Sequence, residues 1–240
     1  MPSKNYLSTF TKFTASAVLL APLTLHANHV DFIADGPFTF SVDEGMTGNA
    51  TQTGNPGNIL GTEREVSFVA DVGNWNVTLA APAMTPVGQN TAVVLAVTPD
   101  SSLAGAIGSL SLTYDGVGNA GLGNSDFDTT WNFIAVNIPT LSGALDLRLT
   151  VGDSDGDSAT AALGDLNSPG QYFFAFDDAA FTNSGVDFDS VENVVFDFET
   201  INPDTVFAIS EITREVVPEP STSLLSVLAS LGLLARRRRK

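Results

Sequence analysis

Short runs of apolar and β-branched residues recur along most of the chain, separated by Gly, Asn, Asp and Pro. In several runs apolar and polar side chains alternate, as in residues 107–114 (IGSLSLTY) and 145–151 (LDLRLTV). Alternation with a period of two, with turn residues every ~8–12 positions, is typical of strands that bury one face. No stretch between residues 28 and 217 carries a helical apolar stripe over three turns. The pattern therefore predicts an all-β domain.

Ten segments are predicted as strands on this pattern. They are residues 37–42, 64–70, 74–80, 91–98, 107–114, 131–138, 145–151, 171–176, 193–198 and 205–212. About ten short strands, with Phe and Trp to fill the interior, favour a single-domain antiparallel β-sandwich, jelly-roll-like, made of two packed sheets.

Turns and loops are predicted from Gly, Asn and Asp. Asp115–Gly116 and Asp155–Gly156 each follow a predicted strand, and because Asp-Gly tolerates positive φ, both are predicted hairpin turns. Residues 43–58 and 115–125 are rich in Gly and Asn. They are predicted to be long loops that are either mobile or form a rim.

The first 27 residues differ from the strand-rich part of the chain. They contain two lysines, Lys4 and Lys12, before an apolar run from Phe13 to Leu25, and end in a small residue, Ala27. This order is typical of a secretory signal peptide, whose apolar run is too short to cross a bilayer. The sequence predicts a signal peptide over 1–27 and a mature domain over 28–217.

The last 23 residues, 218–240, combine a Pro-Glu-Pro, an apolar run and a basic end. The apolar run from Leu224 to Ala235 is shorter than the ~20 residues that a spanning helix needs. Pro218 and Pro220 stop a helix from running back into the domain, and the terminal cations favour the cytoplasmic side. Those cations are Arg236, Arg237, Arg238, Arg239 and Lys240. The tail is thus predicted to enter the membrane transiently, with Pro218–Glu219–Pro220 presented outside it.

This tail resembles the PEP-CTERM sorting signal of Gram-negative bacteria, which the membrane peptidase exosortase recognises. The resemblance rests on Pro218, Glu219 and Pro220, the apolar segment and the Arg cluster. It implies that the tail is removed after transient inner-membrane anchoring and that the domain reaches the cell surface or the extracellular matrix. Such proteins typically occur in organisms that make exopolysaccharide. A plain C-terminal membrane anchor is the alternative.

A second resemblance covers parts of the domain. Residues 58–66 (NILGTEREV), 110–116 (LSLTYDG) and 193–199 (NVVFDFE) look like a recurrent β-rich domain of PEP-CTERM proteins. The GGERD-like motif of that domain corresponds here to residues 61–65 (GTERE), in which the second Gly and the Asp are replaced. This resemblance supports the fold and implies no activity.

The charge of the domain restricts its partners. Of the 27 acidic residues of the chain only Glu219 lies outside residues 28–217, and of the ten basic residues only Arg64, Arg148 and Arg214 lie inside. The domain thus has 26 acidic and three basic residues, a formal net charge of −23, and no lysine. Because phosphate binding needs Lys and Arg, nucleic acid is excluded as a partner.

The scarcity of reactive side chains argues against an enzyme. The chain has no cysteine, and its two histidines are His26, in the predicted signal peptide, and His29. Zinc sites built on Cys or His and Ser-His-Asp chemistry are therefore not expected. Carboxylates remain, and Asp177, Asp178, Asp187 and Asp189 offer pairs for glycoside hydrolysis or for binding a cation.

The stretch Gly152–Asp157 (GDSDGD) is the most suggestive of a metal. Carboxylates at alternate positions around a Gly can supply oxygen ligands to calcium, and the ligands would be Asp153, Asp155 and Asp157. The twelfth position of a full calcium loop needs a Glu, however, and counting from Asp153 that position is Gly164. The sequence therefore favours a solvated hairpin turn and leaves calcium as the one candidate cofactor.

Other conspicuous side chains have a structural and a functional interpretation. Trp75, Trp131 and Tyr114 can stack on sugar rings, but aromatic residues on alternating strands usually belong to the core. Arg64, between two glutamates at the start of a predicted strand, favours a fixed Arg–carboxylate bridge over ligand capture.

The sequence as a whole predicts an exported protein of the cell surface or biofilm matrix, processed by exosortase, with a structural or adhesive role. The alternative is a calcium-supported carbohydrate-binding module with exopolysaccharide as its partner. A carboxylate-based glycoside hydrolase is the third interpretation.

Overall fold

The computed structural model describes residues 28–31, 33, 37–54, 59–79, 94–100, 104–122, 133–177, 179–182 and 184–215. The predicted signal peptide and the C-terminal tail lie outside these residues. Within them the chain forms fifteen β-strands and three helical segments of three or four residues. The predicted all-β fold is confirmed.

The strands and helices follow one another in this order. The strands are β1 Asn28–Asp31, β2 Phe38–Val42, β3 Thr47–Thr53, β4 Glu63–Val72, β5 Trp75–Leu79, β6 Leu95–Pro99, β7 Ile107–Tyr114, β8 Phe133–Ile138, β9 Thr140–Ser142, β10 Leu145–Asp153, β11 Ser158–Leu166, β12 Gly170–Ala175, β13 Val191–Thr200, β14 Val206–Ile209 and β15 Glu211–Glu215. The helical segments are α1 Ala179–Thr182 and two 3₁₀ turns, η1 Leu60–Thr62 and η2 Phe188–Ser190.

The strands form three antiparallel sheets. The six-stranded sheet has the order β11-β10-β13-β7-β4-β3, the five-stranded sheet β2-β5-β6-β14-β9, and the four-stranded sheet β1-β15-β8-β12. The two smaller sheets are connected directly, because only Pro139 separates β8 from β9 and only Ser210 separates β14 from β15. They make one layer, and the six-stranded sheet makes the other.

Aromatic side chains fill the space between the layers. Phe68 of the six-stranded sheet packs on Trp75 of the five-stranded sheet with ring centroids 5.1 Å apart, and Phe198 stacks on Phe207 at 5.7 Å. All four side chains are fully buried. Sheets that pack face to face through alternating inward side chains define a β-sandwich, so the predicted architecture is confirmed, with three sheets instead of two.

Every predicted strand segment contains a strand, but the sequence prediction missed four strands, β1, β3, β9 and β11. It also combined two strands in one segment, because residues 205–212 are divided between β14 and β15 at Ser210. β3 lies within residues 43–58, which were predicted to be a loop. Gly48 of β3 packs closely against the side chains of Phe40 and Val42. A Cβ added at this position would come within 2.8 Å of their atoms, so only glycine allows this close packing.

The two predicted hairpin turns have different outcomes. Asp155–Gly156 joins β10 to β11, which pair directly, and Gly156 has a φ of 91°. The prediction for Asp115–Gly116 is wrong, because β7 pairs with β13 and β4 and the next strand, β8, belongs to the four-stranded sheet. Residues 115–122 are a loop, as predicted for this region.

Candidate functional site

Arg64 is the centre of a buried polar network between the two layers. Its guanidinium donates to the carboxylate of Asp31 in β1 and to the side-chain oxygen of Gln52 in β3. The Tyr114 hydroxyl donates to the same Asp31 carboxylate at 2.5 Å, and the Ile33 N–H donates at 2.7 Å. The side chains of Arg64 and Asp31 are completely buried. The predicted Arg–carboxylate bridge is therefore present, and its partner is a distant aspartate instead of a neighbouring glutamate.

The pKa values of Arg64 and Tyr114 are both raised in this network. Burial by itself lowers the pKa of Arg64, but the Asp31 carboxylate and the Tyr114 hydroxyl together outweigh burial, and the net shift is upward. Burial raises the pKa of Tyr114 well above its usual 10.0, and Asp31 raises it further. Tyr114 thus stays a neutral hydrogen-bond donor, and the network fastens β1 to the six-stranded sheet.

Trp75 and Tyr114 are both buried in the core. The core interpretation of these two aromatics is confirmed, and neither is accessible to a sugar. Trp131 lies outside the described residues.

Asp153 organises the turn that was predicted as a calcium candidate. One carboxylate oxygen accepts from the N–H groups of Asp155 and Asp157 at 3.0 and 2.9 Å, and the other accepts from the N–H of Asp187 at 2.8 Å. These N–H groups, that of Asp187 first, lower the pKa of Asp153. Asp155 and Asp157 are exposed. The calcium prediction for these three residues stays a prediction.

The remaining acidic candidates are Asp177, Asp178, Asp187 and Asp189. Asp187 precedes η2 and its side chain accepts from the N–H of Asp189 at 3.0 Å. Asp177 is exposed, and Asp178 lies outside the described residues. In the part of the chain that the structure describes, no three His, Cys, Asp or Glu residues are grouped so as to hold a metal ion.

A cleft opens on the outer face of the six-stranded sheet, where β7 ends and β13 begins; we name it the β7–β13 cleft. Its volume is about 410 Å³, within the usual range of small-ligand sites, ~300–1,000 Å³. Thr113 and Asp115 line one side, and Glu192, Asn193 and Val195 line the other. Residues 119–121 complete the lining. Among the described residues its lining contains no cation and no aromatic side chain.

Two hydrogen bonds donated by backbone N–H groups hold the loop that borders this cleft. The Leu122 N–H donates to the Glu192 carbonyl at 2.9 Å, and the Gly118 N–H donates to the Glu63 carboxylate at 2.9 Å. Gly121 has a φ of 83°, and a Cβ there would lie 1.6 Å from a Glu192 carboxylate oxygen. The described residues 119–121 of this loop line the cleft, and the choice between a mobile loop and a rim stays a prediction.

The cleft is acidic. Burial raises the pKa of Asp115 above its usual 3.8, and the nearby Glu63 carboxylate raises it further. A negative, amide-lined cleft disfavours anionic ligands and offers hydrogen-bond acceptors to hydroxyl groups. The sequence prediction missed Glu192 and Asn193, because nothing in a linear pattern indicates that β13 is next to β7.

In the described residues, no helix has the length and hydropathy needed to cross a membrane. The apolar run of the tail lies outside these residues.

The C-terminal residues 216–240 match the PEP-CTERM protein-sorting motif. The molecule is therefore a β-sandwich protein that carries a PEP-CTERM sorting signal. This signal marks an exported protein of the cell surface or extracellular space, with exosortase as its processing partner. The comparison with curated proteins finds no match.

Solved structures resemble the sandwich at low identity. The family 11 carbohydrate-binding module of the cellulosomal cellulase Lic26A-Cel5E of Clostridium thermocellum is 8% identical, with a TM-score of 0.38 over 81% of this chain and 97% of that chain. PfGH50B is 16% identical, with a TM-score of 0.38 over 55% of this chain; the chain spans 21% of its length. These TM-scores are too low to assign a shared function.

Proposed function

We propose that the protein is an adhesive component of the cell surface or biofilm matrix of a Gram-negative bacterium and binds neutral glycans in the β7–β13 cleft. The observation that carries this proposal is the chemistry of the cleft. Asn119 and Asn193 provide amides, and Thr113, Asp115 and Glu192 provide oxygen acceptors. Sugar hydroxyls both donate and accept hydrogen bonds, so such a lining suits them.

Charge supports a neutral ligand instead of an acidic polysaccharide. The mature domain has a formal net charge of −23, and the cleft is lined by Asp115 and Glu192 with no cation among the described lining residues. Carboxylates repel uronate or phosphate groups at short range. Binding without turnover is proposed, which makes exopolysaccharide the partner and not a substrate.

Affinity electrophoresis in gels that contain a soluble β-glucan, galactomannan or dextran tests the glycan proposal, with alginate as the anionic comparison. We expect retardation by at least one neutral polymer, none by alginate, and weaker retardation for Asn119→Ala and Asn193→Ala. Asn49→Ala is the matched control, because Asn49 is an exposed amide on β3 of the same sheet. If none of the neutral polymers retards the protein, the proposal is contradicted. If the protein releases reducing sugar from a polymer, it hydrolyses the glycan, and the proposal of binding without turnover is wrong.

Delivery is proposed to follow transient inner-membrane anchoring by the tail. Replacement of Pro218, Glu219 and Pro220 by Ala should leave the uncut protein in the membrane fraction. Ser221→Ala is the control, since it lies next to the motif. Normal release of a protein of mature size from the triple variant would disprove recognition of this segment.

A further inference from the structure

We propose that the outer face of the four-stranded sheet is a second glycan-binding surface, centred on Phe173, and that the protein cross-links neutral polysaccharide chains through this surface and the β7–β13 cleft. The inference rests on the proposed glycan-binding function. We name the second surface the Phe173 face; it consists of Phe133, Asn137, Gln171 and Phe173.

Phe173 is a large aromatic side chain that folding leaves 45% exposed. Its neighbours in β12 and β8, Phe174 and Ile134, are buried between the layers. Because side chains alternate along a strand, Phe173 lies on the outer face. The ring of Phe133 meets it edge to face, with centroids 6.2 Å apart and an interplanar angle of 80°. The exposed ring is therefore held in a defined orientation, as a stacking surface requires.

Amide side chains lie next to this aromatic pair. Gln171 and Asn137 are directly opposite each other in the register of β12 and β8, two residues along from Phe173 and Ala135. Two residues of a strand span ~6.6 Å, so a sugar that stacks on Phe173 is within reach of both amides. An apolar surface with a few polar groups at fixed positions is the usual composition of small-ligand sites.

The charge next to the Phe173 face is negative. β8, Phe133–Ile138, and β12, Gly170–Ala175, contain no acidic or basic residue, but Glu211 of β15 is directly opposite Asn137 in the register and therefore lies on the same side of the sheet. A neutral ligand avoids repulsion from the rest of the domain, whereas an anionic polymer does not. The pyranose ring of a neutral polysaccharide has an apolar C–H side for the aromatic ring and hydroxyl groups for the amides.

The two surfaces point in opposite directions. In the cleft, Thr113 and Val195 face outward from the six-stranded sheet, while Leu112 and Phe196 are buried against the other layer. The Phe173 face is the outer side of that other layer. One molecule can therefore hold two polysaccharide chains at once, one on each side of the sandwich, and so cross-link them.

Turbidity and low-shear viscosity of a neutral polysaccharide mixed with the processed protein test this inference. The polymer is the one that retards the wild-type protein in affinity electrophoresis. We expect the wild-type protein to cross-link it. Phe173→Ala should still bind through the cleft, with apparent affinity lower by about tenfold or more because bivalency is lost, and should not cross-link. Phe173→Trp should retain cross-linking, and Met46→Ala, which truncates a side chain that is 60% exposed elsewhere, should behave like wild type.

The outcomes separate this inference from the proposed function. If the wild-type protein binds no neutral polymer, the glycan-binding proposal fails. If it binds and Phe173→Ala cross-links as well as wild type, the proposed function stands and the second surface is disproved. Sedimentation without polysaccharide is the remaining check: a wild-type dimer that becomes a monomer in Phe173→Ala would identify the Phe173 face as a self-association surface and overturn the inference.

Discussion

Removal of Arg64 should destabilise the domain more than removal of any exposed charge. Arg64→Met leaves the Asp31 carboxylate fully buried, and its remaining partners among the described residues are the Tyr114 hydroxyl at 2.5 Å and the Ile33 N–H at 2.7 Å. Breaking a buried ion pair by removing one partner costs about 3–5 kcal/mol. A domain of this kind is stable by ~5–15 kcal/mol, so the loss is a large part of the total.

Urea denaturation followed by tryptophan fluorescence measures this loss. With a denaturant dependence of ~2 kcal/mol per molar urea, the transition of Arg64→Met should move down by roughly 1.5–2.5 M. Arg148→Met is the matched control. Arg148 contacts Asp146 and lies 3.2 Å from Glu199, but its side chain is 46% exposed, and exposed pairs contribute about 1 kcal/mol or less.

A double variant distinguishes an unpaired buried charge from lost packing. In Asp31→Leu with Arg64→Met no charge is left unpaired at this site, so the double variant should be more stable than Arg64→Met alone. If the two single effects simply add, or if Arg64→Met shifts the midpoint no further than Arg148→Met, the reasoning is refuted.

Three further predictions follow from single contacts. The pKa of Tyr114 is raised in the folded state, so its contribution to stability is complete below about pH 10 and is lost as the pH rises through the folded pKa. In a pH series of urea denaturation, the midpoint of Tyr114→Phe should therefore fall less at alkaline pH than the midpoint of the wild-type protein. Gly121→Ala should weaken glycan retardation, because its Cβ would lie 1.6 Å from Glu192 Oε2, whereas Gly156→Ala, with nothing within 4 Å, should not. The lowered pKa of Asp153 contributes stability that is complete above its usual 3.8 and is lost as the pH falls through the lower pKa of the folded state. Asp153→Asn should therefore lower the melting temperature at pH 7 and lower it less as the pH falls below 3.8. Melting with calcium and with EGTA tests the calcium prediction: a higher wild-type midpoint with calcium supports it, and an unchanged midpoint contradicts it.

The strands that could be predicted from the sequence are those that bury alternate side chains against the other layer. β7 and β10 alternate strictly, and the structure reproduces the predicted bounds of β7 at both ends. β3 (TGNATQT) has no apolar side chain larger than alanine, so no hydrophobic period exists to detect. Its stability comes from seven consecutive pairs with β4 and from packing of Gly48, both of which are tertiary.

The candidate sites illustrate the same limit. Arg64 stood out because cations are rare in the domain, and the kind of bridge it forms was predictable. Its partner Asp31 is 33 residues away and could not be assigned without the register. The two sides of the β7–β13 cleft are more than 75 residues apart in the chain, and Phe173 looks like any core residue in the sequence QYFFAF. Local sequence patterns therefore identify the side chains that are buried in the core, whereas binding sites depend on which strands become neighbours in the sheets.

The buried network and the sorting signal are connected through β15. β1 begins at Asn28, directly after the predicted signal peptide, and pairs with β15, with Asn28 opposite Arg214. β15 ends at Glu215, and the sorting motif begins at residue 216. The predicted removal of the signal peptide and of the tail would therefore act on chain ends that leave the sandwich from two adjacent strands. Since Asp31 and Arg64 fasten β1, and β1 covers one edge of β15, the network also secures the strand from which the sorting tail emerges. The β7–β13 cleft is on the opposite layer, so processing at this edge does not require the cleft to change.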